Sequence, residues 1–359
     1  MWHRLMQVVC ITLIFLYQMG GELDFRALLL KIQDLLSDND RHRFLFLLGE
    51  DVPRYMRDDP SLSGTLRVLE SLFEKAIISD QDCDYLIKAF KKIHCNDAAK
   101  RLQGYSNCDC VCVWEDNFDW NGVVDPNKWD FDVGGDGWGN EEQQNYTNNR
   151  RENARCELFP GTKNGRLIVE ARRENMSNTM YTSARLKSKA SWTYGRLQIR
   201  AKLPDGRGLW PALWMLPQNE TYGLQYWPDN GAMNLIEQVG YDPLRITSSV
   251  NTYAYNHMRH NTPMNSIIVR DAISNFKIYT LDWNENKIEM FVGDDTNQFA
   301  NSIFVWNKKG DWTQWPFDKP FFLLINIAVG GRIGGQQGID NNIFPRRMEI
   351  DWVRLYQRR

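Results

Sequence analysis

The side chains best suited to chemistry cluster in the second half of the chain, and most of them are aromatic. Trp138, Trp192, Trp210, Trp214, Trp227, Trp283, Trp306, Trp312, Trp315 and Trp352 all fall there. Sugar rings present apolar C–H faces that stack on aromatic rings while polar neighbours fix their hydroxyls, so a sheet face lined by tryptophan suits a polysaccharide. Part of this set is expected in the core instead, Trp283 and Trp352 included, because both sit inside strand-like runs. His257 and His260 form an H-x-x-H pair, but zinc needs a third protein ligand, so a hydrogen-bonding place in a cleft is the expectation. Cys108, Cys110 and Cys112 lack the usual zinc-site spacing, with no His nearby in sequence. The reading includes no metal and no cofactor.

The elements that must position these residues belong to a multidomain chain. Its 359 residues leave room for two domains, and a hydrophobic fraction of 43% is enough to bury real cores. A formal net charge of -2 gives no electrostatic case for nucleic acid. Residues 1–21 read as a putative signal peptide or apolar leader: Arg4 precedes an apolar run from Leu5 to Tyr17, interrupted by Gln7 and Thr12 and followed by Gly20 and Gly21. That run is short for a bilayer span. Secretion is the expectation, with a cytoplasmic protein carrying an extra apolar helix as the alternative. Removing Cys10 with the leader leaves six cysteines, Cys83, Cys95, Cys108, Cys110, Cys112 and Cys156, which permits three disulfides. Linker cysteines in disulfides, or free thiols on a strand, are the alternatives for the alternating set. Sequons at Asn145, Asn175 and Asn219 allow glycosylation.

Residues 22–104 carry a helical pattern. Phe25, Leu28, Leu29, Ile32, Leu35 and Leu36 recur at helical spacing until Ser37–Asp40 breaks the run. Phe44–Leu48 forms a second apolar group, with Phe46 expected in the core and a partner-binding patch as the alternative. Leu66, Leu69, Leu72, Phe73 and Ala76 form a third, and Ser79 is expected to cap a fourth helix with Leu86, Ile87, Phe90 and Ile93. The order Phe25-Arg26-Ala27-Leu28-Leu29, Phe46-Leu47, Val52-Pro53, then LRVLESLFEKAIIS and LIKAFKKI resembles a death effector domain, which implies a small death-fold-like helical bundle and a homotypic partner. The Arg-x-Asp-Leu motif common in that family is reduced here to Asp97.

Residues 105–112 read as a cysteine-bearing linker, and the period then changes. GRLIVEARR, YGRLQIRAKL, FKIYTLDW, KIEMFVGD and MEIDWVRLYQ are short apolar runs separated by Gly, Pro, Asn and Asp, several alternating at period two. Leu197, Ile199, Ala201 and Leu203 would share one sheet face. The pattern predicts an all-β jelly-roll sandwich over residues 113–359.

GWGNEEQQNYT, YGRLQIRAKLPDGRGLWPALWMLP, YWPDNGAMNLIEQVG, NTYAYNH, FFLLINIAVGG, GGQQGID and FPRRMEIDWVRLYQ then follow in the order expected of glycoside hydrolase family 16, nearest its β-1,3-glucanase branch and the animal β-1,3-glucan-recognition proteins. The resemblance implies a concanavalin A-like sandwich with an active strand Glu-x-Asp-x-x-Glu, bulged so that all three carboxyls face one cleft. It places Ala232 at the nucleophile, Asn234 at the assisting position and Glu237 at the acid/base. A methyl group forms no glycosyl-enzyme bond. Asn251 stands where the family usually has His, and Arg332-Ile333 where it has Asn-Trp. Trp138, Asn140, Glu142, Arg185, Trp210, Trp214, Trp227 and His257 are implied to border the cleft. The leading expectation is a non-catalytic β-1,3-glucan-binding pattern-recognition protein. The alternatives are an active endo-β-1,3-glucanase using Glu237 and a death-domain adaptor in immune or apoptotic signalling.

Overall fold

The structure is a computed structural model that describes residues 26–75, 77–78, 83–99, 102, 110–295 and 298–358. The expected leader and Cys108 lie outside the described residues. The chain divides into two compact units at residue 110.

In the first unit residues 26–33 are helical, followed by helices Asp38–Leu47, Arg54–Arg57, Leu62–Glu74 and Asp84–Lys92. Ser37 does more than break the first run. Its hydroxyl accepts from the Asp40 N–H at 3.2 Å while Asp40 Oδ2 accepts from the Ser37 N–H at 3.1 Å, a reciprocal cap that starts the next helix. Ser61 caps Leu62–Glu74 through the Gly64 N–H at 3.0 Å. The fourth helix begins after Cys83, so Ser79 is not its cap. Ile32, Phe44, Leu45, Val68, Leu69, Leu72, Leu86 and Phe90 form the core. Phe46 corrects another expectation: it is 85% exposed, because the helix turns Phe44 and Leu45 inward and leaves position 46 outside.

The second unit is a sandwich of two sheets, as its period-two pattern requires. Across the seven-stranded sheet the order is Met264–Ile268, Asp242–Asn251, Ala232–Val239, Leu209–Pro217, Phe321–Val329, Arg185–Trp192 and Trp129–Asp132, all antiparallel. The ten-stranded sheet is built around Gly195–Lys202, Arg346–Arg358 and Gly165–Met176. Leu197, Ile199, Ala201 and Leu203 do share one face, meeting Leu213, Met215, Met233, Leu235, Ile325 and Ile327 between the sheets. Phe321–Val329 is buried at every position because it is central in its sheet and covered on both faces.

The cysteine expectation is corrected here. Cys95, Cys112 and Cys156 are free thiols, so three bridges among the six do not form. Three residues of the expected linker also belong to the sandwich's first strand, Cys110–Asp116, which pairs with Arg346–Arg358. Trp192, Trp283 and Trp315 pack in the core, whereas Trp352 is half-buried under the Arg354 guanidinium.

Candidate active-site cleft

One face of the seven-stranded sheet packs on the other sheet; the opposite face carries the polar residues singled out from the sequence. The strand Ala232–Val239 decides which of its side chains reach that face. Asn234 pairs with Trp214 and Glu237 with Ala212, so three steps on this strand oppose two on its neighbour. One extra residue is therefore inserted between them, the bulge the motif spacing demands. With it Asn234 and Glu237 point the same way.

Cross-strand pairing then builds a row. Glu237 lies beside Ala212, Ala212 beside Asn326, Asn326 beside Arg185, and Arg185 beside Asp132. Strands are about 4.8 Å apart, so this row crosses the face from the acid to the far wall. Arg185 Nε is paired with Asp132 Oδ2 at 2.9 Å, and its guanidinium stacks over Trp138 at 4.7 Å and over Trp214 at 4.9 Å. Those two rings are thus held by a cation between them. The Trp214 indole N–H donates to Asn326 Oδ1 at 2.8 Å, Asn326 donates to the Tyr146 hydroxyl at 2.9 Å, and that hydroxyl donates to Glu142 Oε2 at 3.3 Å. Asn140 and Gln144 add donors to Glu142 at 3.1 and 2.7 Å. Burial pushes the Glu142 carboxyl up, with those donors opposing the shift. Glu142 is therefore the anchor of a wall that fixes Asn140, Trp138 and Trp214 relative to Arg185.

Around Glu237, Asn234 Nδ2 donates to Oε2 at 3.0 Å and to Ser249 Oγ at 3.0 Å, and Ser249 donates to the same carboxyl oxygen at 3.4 Å. Burial raises its pKa above the ordinary carboxylate range, and these donors pull in the other direction. The raised value keeps a proton available for transfer to a leaving oxygen. Trp210 is 8% exposed; its indole N–H lies near this carboxyl but makes no hydrogen bond.

Ala232 has a different setting. It is 1% exposed and packs with Leu216, Phe322 and Leu324, against which Trp214, Tyr226 and Trp227 also lie. Trp227 stacks on His257 with ring centroids 4.6 Å apart, and burial lowers the His257 pKa. This stack is the place of the first His of the H-x-x-H pair.

The structure thus brings Trp138, Asn140, Glu142, Arg185 and Trp214 into one wall, Asn234 and Trp210 to Glu237, and Trp227 and His257 to a third cluster. Sequence reasoning missed Asp132, Tyr146, Ser249 and Asn326. Only strand register could have found them, since each acts through a neighbour on another strand.

The sequence profile of glycosyl hydrolases family 16 matches residues 141–354. A β-glucanase of Rhodothermus marinus is 50% identical over 248 residues, covering 68% of this chain and 84% of that protein. A glucan endo-1,3-beta-glucosidase of Cryptopygus antarcticus is 35% identical over 242 residues, covering 64% and 84%. The X-ray structure of the Rhodothermus marinus laminarinase superposes with a TM-score of 0.65 at 47% identity, covering 70% of this chain and 98% of that one. These relatives overturn the expectation of a non-catalytic recognition protein, which rested on Ala232 and Asn234 at the catalytic positions and on the departures at Asn251 and Arg332-Ile333. The family profile over residues 141–354 and the extent of the similarity, with the bulged strand that presents Glu237, place the chain in the glycosyl hydrolases family 16.

Proposed function

We propose that the sandwich is an endo-β-1,3-glucan hydrolase in which Glu237 donates the proton to the leaving oxygen and the attacking group is not a side chain of its own strand. The observation that carries this reading is Glu237 itself, presented by the bulge, half-buried, with its pKa raised and with donors on one oxygen. The relatives named above, a β-glucanase and a glucan endo-1,3-beta-glucosidase, support β-1,3-glucan as the substrate. Ala232 changes the route of attack: a methyl cannot form a covalent glycosyl intermediate, so turnover is expected to be slow. The test is release of reducing ends from laminarin by the full chain beside Glu237→Gln. Turnover that falls by about 100-fold or more in the variant supports the assignment, in line with the worth of general acid catalysis. Equal release by both proteins, or none by either, overturns it.

The helical unit is inferred to be an association module, supported by Phe46 standing exposed with Arg43, Leu47, Lys92, Ile93 and His94 around a surface depression. Sedimentation of the full chain against Phe46→Asp tests it, and identical distributions overturn it. Export is likewise a proposal from residues 1–21, and an intact Met1 on N-terminal sequencing of cell-expressed protein would sink it.

A further inference from the structure

At the Ala232 end of the cleft one buried polar group has no hydrogen-bond partner among the described residues. Asn251 is the cross-strand partner of Ala232, and side chains so paired share a face with Cβ atoms about 4.5–5.5 Å apart. Asn251 is 6% exposed, and its side-chain oxygen is buried without a donor. Its polar neighbours on the same face are committed elsewhere: Asn234 and Ser249 bond to each other and to Glu237. A buried amide oxygen left this way is a seat for a water or a ligand hydroxyl. The seat adjoins the place from which a side chain at position 232 would attack.

Spacing points to the mechanism. Glu237 pairs with Thr247 and Ala232 with Asn251 on the same neighbouring strand. Four residues on a strand span about 13 Å between Cα atoms. A Glu at position 232 would reach across this span to bring its carboxyl within the separation of about 5–5.5 Å of a retaining site, whereas the Ala232 methyl stops short and leaves the far side of a sugar ring to a water, as an inverting site does.

We infer that Asn251 is a positioning residue that holds the attacking water, so that this chain cleaves β-linked glucan with inversion of configuration; this rests on the hydrolase reading above. Glu237 passes its proton to the glycosidic oxygen as the C1–O bond breaks. The water oxygen bonds to C1 from the opposite face, oriented by the hydrogen bond it donates to Asn251 Oδ1. Its surplus proton goes to solvent, from which Glu237 is protonated again. Asn251 is not a base, which fits slow turnover.

Proton NMR of laminarin during the first minutes of digestion by the full-length protein reads the new anomer directly. The α-anomer appearing first is the expected result, and the β-anomer appearing first overturns the inference while leaving the hydrolase reading intact. A preparation that releases no sugar removes both. Variants give a second readout that does not depend on the first. Asn251→Ala is expected to lower kcat about 10- to 100-fold with KM little changed, as misplacement of a reacting group does. Asn251→Asp supplies a carboxylate base, so kcat should rise and its pH profile gain an acid limb. Wild-type kcat and pH profile in both variants would overturn the assignment even if the anomer were α.

Discussion

The two ends of the strand Ala232–Val239 face the same cleft and are built on opposite principles. At the Glu237 end, a carboxyl is held by Asn234 and Ser249 and its pKa is raised by burial. At the Ala232 end, a methyl is sealed among Leu216, Phe322 and Leu324. Proton donation and attack on the anomeric carbon are therefore separable in the fold, because each depends on its own neighbours. The acid's partners come from its own strand and the Asp242–Asn251 strand, so nothing at position 232 is needed to hold it. The Arg185, Trp138 and Trp214 stack and the Glu142 network form the wall beside the acid, and Trp214 reaches from it to pack against the cluster around Ala232.

The largest expected effect comes from making the two ends alike. Ala232→Glu combined with Asn234→Asp restores an attacking carboxylate and its acidic neighbour on the bulged strand. Turnover of laminarin should rise by about a thousandfold or more, since removing a nucleophile costs that much in comparable sites. The product anomer should change to β as the route becomes retaining. Ala232→Glu alone should gain less and unfold at a lower temperature, because it puts a carboxyl into an apolar cluster with no charged group placed for it. Rate and anomer unchanged in the double variant would mean that the cluster around residue 232 does not face the anomeric carbon.

Much of this contrast was legible in the sequence. The alternation of Leu197, Ile199 and Ala201 assigned a face correctly because sheet geometry leaves only two choices. Ala232, Asn234 and Glu237 were readable as a set through the resemblance to a family whose active strand carries that spacing and needs a bulge. What stayed hidden is long-range: Asn326 joins Trp214, 112 positions away in the chain, to Tyr146, 180 positions away, and no local pattern marks it. Phe46 was misjudged for a related reason, since one apolar residue in a helix can face either way until the neighbouring helices are placed. The expectation of non-catalysis failed at a different step. It weighed the departures at Ala232, Asn234, Asn251 and Arg332-Ile333 above the acid, the bulge and the wall, which the fold keeps.

A smaller effect separates the two binding clusters. Trp214→Ala removes a ring that Arg185 stacks on and the donor to Asn326, so the wall loosens along with the stacking surface. Trp227→Ala removes a ring paired with His257 and packed against the apolar cluster around Ala232. Each ring is worth about 1 kcal/mol, or roughly fivefold in affinity, before secondary losses. Retention on insoluble β-1,3-glucan should therefore fall more for Trp214→Ala than for Trp227→Ala. The reverse order would place the main sugar contacts at the Ala232 end.

The smallest expected effect lies in stability. The folded protein raises the Glu237 pKa, so it binds that proton more tightly than the unfolded chain does. By linkage, the stability tied to this proton is fully present below the unfolded carboxylate pKa and is lost as pH rises through the higher folded value. At neutral pH the buried carboxyl is then a cost to folding that the active site requires. Glu237→Gln keeps the shape and removes the ionisation, so the variant should unfold at a higher temperature than wild type at pH 7. The gap should close near pH 4, where both carry a neutral side chain. Thermal unfolding at the two pH values measures this. A gap of the same size at both would mean that ionisation is not its source, and that the acid end of the strand is no more strained than the apolar end.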